Sequence, residues 1–577
     1  MIVYRGATAS PGIASGTAAR YEQPDLQFVP ADPVSVEAEV QRLKNAASSA
    51  VNELTALQEA VRGRLGDDFA HIFRSQQTIA EDDAILAEVI EVISETSVSA
   101  ETALTRVFDA YASMFNELAD DDYNKSRGAD IHDVYRRILR CLLGVPEISL
   151  SSMEPGSIVI AEDLLPSDTA TMDTEHILAL VTERGGPTSH VAILSRNLGI
   201  PAAVAVQGVL DGVQNGDDLV LDATDPGHAF LVVNPDDAKQ SELLQRAETY
   251  RFRQERSAAY VGRQPVTVDG HEIEFSVNIG STAELGPARE AGARSVGLYR
   301  SEFLFLNASR LPDEEEQFEA YRAAVKRFSD GYVVVRTLDI GGDKQIAGLP
   351  LPAEDNPFLG NRGLRLCLSR PDLFRTQIRA VLRASAFGDL RLMFPMVAGL
   401  NELDEAMQII SEERESLDSL GTAYNPTMQI GVMIEVPSAV LLADELAKRV
   451  DFFSIGTNDL TQYLLAADRL NERVARYYRK FDPAVFRAIL QVVQAAHRHE
   501  CWVGICGELG GDPRAVPALM GLGVDELSMS KGALAEATYA ICTSDYGAAQ
   551  GLADRVIRAE TDAEIEGFLT DYYQGKE

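Results

Sequence analysis

The sequence predicts a multidomain α/β protein: a small α/β domain with an inserted helical bundle, followed by a (β/α)8 barrel. Three observations lead there. At 577 residues and 46% hydrophobic content, the chain exceeds one ordinary domain and can bury more than one core. Residues 34–143 repeat apolar side chains at spacings of three and four with few glycines, whereas short, glycine-punctuated β-like segments flank them. Beyond residue 264, short apolar runs alternate with amphipathic helical stretches, the pattern of successive βα units.

Taken in order, "ATASPGIASGTAARY" reads as β-like, and "VEAEVQRLKNAASSAVNELTALQEAVRGRL" opens the helical insertion. "GSIVIAEDL", "ILALVTERGG", "DDLVLDA" and "HAFLVV" then return to the small α/β domain, which is assigned to 1–33 and 144–235 with the insertion at 34–143. The charged run "DDAKQSELLQRAETYRFRQERSAAYVGR" has no internal turn and reads as a linker helix over 236–263. The barrel takes 264–577, with strands expected in "IEFSVNIG", "SVGLYR", "YVVVRTLDI", "LRLMFPMV", "IGVMIEVP", "FFSIGTND", "WVGICGE" and "DELSMS". A doubly wound open sheet is the alternative for this half.

A formal charge of -36 argues against nucleic acid as a partner, because that interface needs a concentrated basic surface. It suits either a basic partner protein or plain solvation. Five cysteines without CxxC spacing indicate neither a disulfide framework nor a zinc site. The amino terminus lacks the order of a signal peptide and no apolar run is long enough for a bilayer, so a cytoplasmic protein without membrane insertion is expected.

Active sites of such barrels lie at the carboxyl ends of the strands. Here those ends are polar: Arg300 and Glu302, Arg336, Asp339 and Lys344, Glu435, Asn458 and Asp459, Cys506 and Glu508, with Arg469 following the sixth segment. A single member of this set reads as well as a surface ion pair. Converging arginines suit phosphate and carboxylate oxygens, and Glu435 with Asp459 supplies about the protein share of a Mg²⁺ shell. A small phosphorylated acid bound with magnesium is the expected substrate. Cys506 reads either as buried filling or as a thiol that gives a proton to carbon, and Cys501, at the start of its strand, as structural.

In "GGPTSHVAILSRNLGIPA" a strand runs into a glycine turn and then a helix, with Ser189 as N-cap, His190 in the first turn, and Gly199 and Pro201 as stop signals. His190 reads as a capping or core residue, a general base, or a phosphoryl carrier stabilised by the helix amino terminus. Gly185 and Gly186 leave the turn bare for another body to approach.

These segments, with "GLYRSEFLF", "VVVRTLDIGGDK", "NPFLGNRGLR", "IGVMIEVPSA", "FFSIGTNDLTQY" and "GICGELGGD", closely resemble enzyme I of the bacterial phosphoenolpyruvate:sugar phosphotransferase system across essentially the whole chain. The resemblance implies a phosphohistidine domain followed by a phosphoenolpyruvate-binding barrel. It implies His190 as the phosphorylated residue, oriented by Thr169 in "LLPSDTATM"; Arg300, Arg336, Arg469, Asn458, Arg362 and Lys344 on phosphoenolpyruvate; Glu435 and Asp459 on Mg²⁺; and Cys506 as proton donor in forming pyruvate. The helical insertion would dock the phosphocarrier protein HPr, the barrel would form a homodimer, and sugar uptake would lie downstream. No segment is left for the nucleotide-binding domain of related dikinases.

The chain departs from the family pattern at Ser301 in place of Thr, at Leu470 after Arg469 in place of Gly, in "KFDPAVF", which lacks a usual histidine, and at Arg74 and Gln76, where the docking helix usually carries Glu and His. Arg127 in "SRGADIHD" matches. Two other readings remain. A magnesium-dependent lyase barrel leaves the His190 domain unexplained, and a nitrogen-type phosphohistidine relay usually carries an additional amino-terminal sensory domain.

Overall fold

The computed structural model describes residues 1–575 other than 23–25, 30–34, 66, 118–121, 147–149, 151–152, 165–167, 169–171, 173–175, 187–188, 226–227, 307–309, 342–348, 350, 353, 470 and 472, and leaves out the side chains at 60–72, 75, 83, 112–130, 190, 193, 197 and 475. It divides into two compact units, Met1–Phe252 and Arg253–Glu577.

The first unit contains strands β1 (Ile2–Ser10), β2 (Ile13–Tyr21), β3 (Ser157–Ala161), β4 (Ile177–Thr182), β5 (Ala202–Val204), β6 (Asp218–Asp222) and β7 (Ala229–Val233). They close a barrel in the order β1-β5-β4-β3-β2-β6-β7. The run β2-β3-β4-β5 is parallel and the remaining pairs are antiparallel. A parallel pair needs a crossover connection. For β2 and β3 that crossover is the whole helical insertion, α1 (Val36–Leu65), α2 (Asp67–Ala80), α3 (Asp83–Thr96), α4 (Ala100–Glu117) and α5 (Asp122–Leu143).

The insertion has a core of its own. Leu43, Ala46, Ala50, Leu54 and Leu57 of α1 meet Ala100, Ala103, Leu104 and Val107 of α4 and Ile131, Val134 and Ile138 of α5, at the three and four spacing seen in the sequence. Asp82 caps α3 by accepting from the Ala84 and Ile85 amides, at 2.8 and 3.3 Å. In β3 and β4 successive residues serve two cores: Ile158, Ile160, Ala179 and Val181 point into the barrel cluster, and Val159, Ala161 and Leu180 into a second cluster. That second cluster also holds Val191, Ala192 and Leu194 of α6 (His190–Leu198).

Helix α7 (Asp237–Ala258) spans the division between the units. The second unit is the expected (β/α)8 barrel. Its strands are β8 (Glu274–Ile279), β9 (Ser295–Arg300), β10 (Tyr332–Arg336), β11 (Asp389–Phe394), β12 (Ile430–Ile434), β13 (Phe452–Ile455), β14 (Trp502–Ile505) and β15 (Glu526–Met529), all parallel and closed by β15 on β8. Each of the eight apolar runs contains one strand, and the open-sheet alternative falls. Alternation sorts the strand residues: Val333, Val335, Phe453, Ile455, Val503 and Ile505 pack under the helices, while Tyr332, Val334, Met393, Met433, Phe452 and Cys506 form a separate interior cluster. Helix α8 (Glu314–Arg327) starts with a reciprocal box, in which Asp313 accepts from the Glu316 amide at 3.0 Å and Glu316 accepts from the Asp313 amide at 2.9 Å.

Candidate active site

The strand ends bring most of the expected barrel residues together. Arg300 and Arg336 are the last residues of β9 and β10 and are register partners, so two guanidinium-bearing positions stand side by side on the rim. Arg336, 6% exposed, donates to Glu302 at 2.5 Å and to Asp339 at 3.1 Å. Its Nη1 also lies 3.7 Å from the Met433 sulfur. Arg362 forks onto both Asp339 oxygens at 3.2 Å and reaches Asp459 and the Tyr463 hydroxyl, each at 3.4 Å. Arg300 makes no ion pair among the described residues and is only half-buried.

Glu435 follows β12 directly and is fully buried. Its Oε1 accepts from the Met396 amide at 2.6 Å, and its Oε2 has no hydrogen-bond partner among the described residues. Burial raises its pKa well above the ordinary range, and the nearby Asp459 and Asp339 charges add to the rise. Burial opposes the charges of Arg336 and Arg362, but Glu302 and Asp339 around the first, and Asp339 and Asp459 around the second, hold both guanidiniums above their usual values. A buried carboxylate oxygen without a donor, beside a second carboxylate, fits a hard cation. Among the described residues no group of three or more His, Cys, Asp or Glu could hold a metal, so substrate oxygens and water would complete the shell.

Asn458 and Asp459 require a correction of local structure. β13 ends at Ile455, and the two residues lie in the first turn of α9 (Thr457–Leu465) rather than at the end of a strand. That turn points Asn458 Oδ1 at the Glu508 amide, 3.1 Å away, across to the segment after β14. The Tyr478 hydroxyl donates to the Asn458 carbonyl at 3.3 Å, and Arg469 is close enough to draw the Tyr478 pKa downward against the dominant effect of burial. Cys506, 3% exposed, points its thiol at the Ile455 carbonyl, 3.8 Å away, and burial pushes that thiol up to about 12, so it holds its proton at neutral pH. Cys501 is buried at the other end of β14, with its thiol on the Val450 carbonyl at 3.6 Å.

In the first unit, Ser189 caps α6 by accepting from the Ala192 amide at 3.4 Å, and His190 is the first helical residue. Gly199 ends the helix in a left-handed conformation, φ +69. The two glycines before the motif differ. Gly185 has φ +95, which the turn requires, whereas a Cβ on Gly186 would meet nothing within 4 Å among the described residues. The His190 side chain, Thr169, Lys344, Leu470 and the Arg127 side chain lie outside the described residues.

Two carboxylates matter more than their sequence context indicates. Glu302 and Asp339 are 1% and 3% exposed and serve as anchors of Arg336 and Arg362. Their signal was spacing: Glu302 comes two residues after Arg300, and Asp339 three after Arg336. Ser301 is fully buried, and its hydroxyl accepts from Gln377 at 3.0 Å; Gln377 in turn accepts from the Leu338 amide at 2.9 Å. The hydroxyl kept at this position thus ties the end of β9 to the loop after β10. Gln76 is fully buried too, donating to Asp133 at 3.0 Å between α2 and α5, while Arg74 is exposed.

A small mixed barrel carrying a helical insertion, joined to a (β/α)8 barrel whose rim gathers arginines, carboxylates and a protonated thiol, defines a class of enzyme that handles a small, multiply charged anion. Family models agree: the chain matches the PEP-utilising enzyme N-terminal domain at 5–127, the mobile domain at 153–225 and the PEP-binding domain at 254–546. The phosphoenolpyruvate-protein phosphotransferase of Bacillus subtilis is 41% identical over 99% of this chain and 99% of its own. That of Geobacillus stearothermophilus is 43% identical over 98% and 97%, and that of Staphylococcus carnosus 40% identical over 98% of each. A solution structure of an Enzyme I (nEIt) protein is 34% identical, covering 43% of this chain and 99% of that one, with a TM-score of 0.38. The chain belongs to the phosphoenolpyruvate-protein phosphotransferase family and is an enzyme.

Proposed function

We propose that this protein takes the phosphoryl group of phosphoenolpyruvate onto His190 and passes it to the phosphocarrier HPr, releasing pyruvate as the first step of sugar uptake. The observation that carries this reading is the rim of the large barrel. Two buried arginines, a half-buried third, a carboxylate pair with an unpartnered oxygen and a buried thiol surround one mouth.

Arg300, Arg336, Arg469 and Asn458, with Arg362 and Lys344, bind and orient the phosphate and carboxylate of the substrate. Glu302 and Asp339 keep the guanidinium planes fixed, so little reorganisation is needed when charge spreads in the transition state. Glu435 and Asp459 hold Mg²⁺, which when bound supplies further positive charge to the substrate oxygens. The His190 imidazole attacks phosphorus in line, and Thr169 orients the ring. The Cys506 thiol, protonated by virtue of its burial, gives its proton to the methylene carbon of the enolate. His190 belongs to the first unit, so it must reach the barrel mouth for one step and HPr for the next, with HPr docking on the α1–α5 insertion. Because Gln76 is buried against Asp133, the exposed neighbours such as Arg74 carry the docking contacts. A cytoplasmic homodimer joined through the barrel completes the reading; no helix of the described residues is long and apolar enough to cross a membrane.

The test is incubation of the full chain with labelled phosphoenolpyruvate and Mg²⁺, followed by HPr. An acid-labile, base-stable phosphate is expected that is absent in His190→Ala and chases onto HPr. Substrate consumption by an unlabelled wild-type protein would favour the lyase reading and overturn this one.

A further inference from the structure

Cys506 is the first residue beyond β14, whose alternation turns Trp502, Gly504 and Cys506 toward the barrel interior and Val503 and Ile505 toward the helices. On the neighbouring β13, Phe452 faces inward while Phe453 and Ile455 face outward, so Ser454 faces inward. The parallel register pairs Ser454 with Gly504 and Ile455 with Ile505. The partner of Ser454 has no side chain, and the next inward residue along β14 is Cys506. The Ser454 hydroxyl is buried, with the residue 2% exposed, and among the described residues it meets no partner in full hydrogen-bond geometry. Burial is the main effect against the ionised thiol, and Glu435 and Glu526 add to it, but the Ser454 hydroxyl lies close enough to the Cys506 sulfur to favour ionisation, as does Arg336.

We propose that Ser454 is a positioning residue for the proton transfer from Cys506, its hydroxyl turning to donate to Sγ as the thiol gives up its proton. This rests on the reading of the barrel mouth as a phosphoenolpyruvate site. In the step itself the S–H bond breaks and a C–H bond forms at the methylene carbon of the enolate. The enolate π pair makes the new C–H bond as the carbonyl of pyruvate forms, and the S–H pair stays on sulfur as thiolate. Solvent later returns the proton. Before transfer the thiol is a donor and uses the Ile455 carbonyl, 3.8 Å away. Afterwards sulfur is an anion in a buried place and needs a donor, which the idle hydroxyl supplies. An interaction that strengthens as charge develops lowers the barrier without tightening substrate binding.

The reverse step isolates this chemistry from His190. The full-length enzyme with pyruvate, Mg²⁺ and inorganic phosphate in D₂O exchanges the pyruvate methyl protons, followed by proton NMR. Ser454→Ala is expected to lower the maximal exchange rate roughly 10- to 100-fold, the worth of a buried hydrogen bond to a charged group, with KM for pyruvate unchanged and with Ser454→Thr recovering most of the rate. Exchange by Ser454→Ala at the wild-type rate, or a rise in KM alone, overturns the role of Ser454 while the site reading stands. Absence of exchange in the wild type, with Cys506→Ser no different, overturns the site reading itself and this proposal with it.

Discussion

Replacing Glu526 by Gln removes one buried ionisation from the floor of the large barrel while keeping the size of the side chain. Glu526 opens β15, is 2% exposed, and reaches into the interior, where its carboxyl bonds the Ser276 hydroxyl. A Cβ on Gly297 or Gly504 would come within 2.1 Å of its oxygens, so glycine at those two strand positions makes the room for it. Burial pushes this carboxyl up to about 8 from 4.5; the Ser276 hydroxyl pulls it down, and Glu274 adds to the rise. With the folded pKa above the unfolded one, the protonated carboxyl contributes in full below pH 4.5, and the contribution is lost as pH climbs to about 8. At ~1.4 kcal/mol per unit, the interval amounts to on the order of 5 kcal/mol.

Trp502 makes the measurement local. It is the single tryptophan of the chain, it stacks on Phe452 with ring centroids 4.5 Å apart, and its indole N–H donates to Gln429 at 3.2 Å. Its fluorescence during chemical denaturation therefore follows the barrel alone. Between about pH 5 and about pH 9 the wild type is expected to lose stability relative to Glu526→Gln, ending the less stable of the two. The raised carboxyl of Glu435 titrates in both proteins and cancels in the difference. A difference that stays constant across that range would mean that Glu526 ionises as an ordinary carboxyl, and the reasoning from burial would fail.

Two further outcomes test the local geometry. Gln76→Ala removes a buried donor from Asp133 and should cost about 1–3 kcal/mol in the insertion, read by urea denaturation under circular dichroism, with labelling from phosphoenolpyruvate retained. Gly341 has φ +114, and a Cβ there would lie 2.6 Å from the Arg362 Cβ and 2.8 Å from the Asn361 carbonyl. Gly341→Ala should therefore displace Arg362 and lower kcat/KM for phosphoenolpyruvate on the order of 10- to 100-fold, with the Trp502 emission of a folded barrel retained.

The large barrel was legible because parallel strands buried on both faces are short, continuous apolar runs, and because the polar residue that interrupts each run marks the strand end. Arg300, Arg336, Glu435 and Cys506 stand there for that reason. Asn458 and Asp459 look the same in sequence, yet "TND" is already helical, since after Ile455 the chain turns at Gly456 and nothing in the apolar pattern distinguishes a strand end from a helix start. β5 is three residues long and its "AAV" has too little contrast to register as a strand. Gln76 occupies a helical position whose neighbours at three and four are apolar or small, and only the packing of α5 against α2 shows that its amide is enclosed with Asp133.

The arginine anchors mark a deeper limit. Glu302 and Asp339 were visible as charged residues, but a buried ion pair is strongly destabilised when one partner is lost and contributes little net stability when whole. Their burial beside Arg336 and Arg362 is therefore poorly explained as a source of stability. It is better explained by orientation: a guanidinium that must meet a phosphate in one plane benefits from two carboxylates that hold it there before the substrate arrives. Of these pairs, at 2.5 to 3.2 Å, Arg336–Asp339 is local, three residues apart, whereas Arg336–Glu302 and Arg362–Asp339 join segments separated in sequence, the first of them following the paired strands β9 and β10. The residue types and the local Arg336–Asp339 pair could thus be read from the chain, but the pairing of Arg336 with Glu302 depends on β9 and β10 lying side by side.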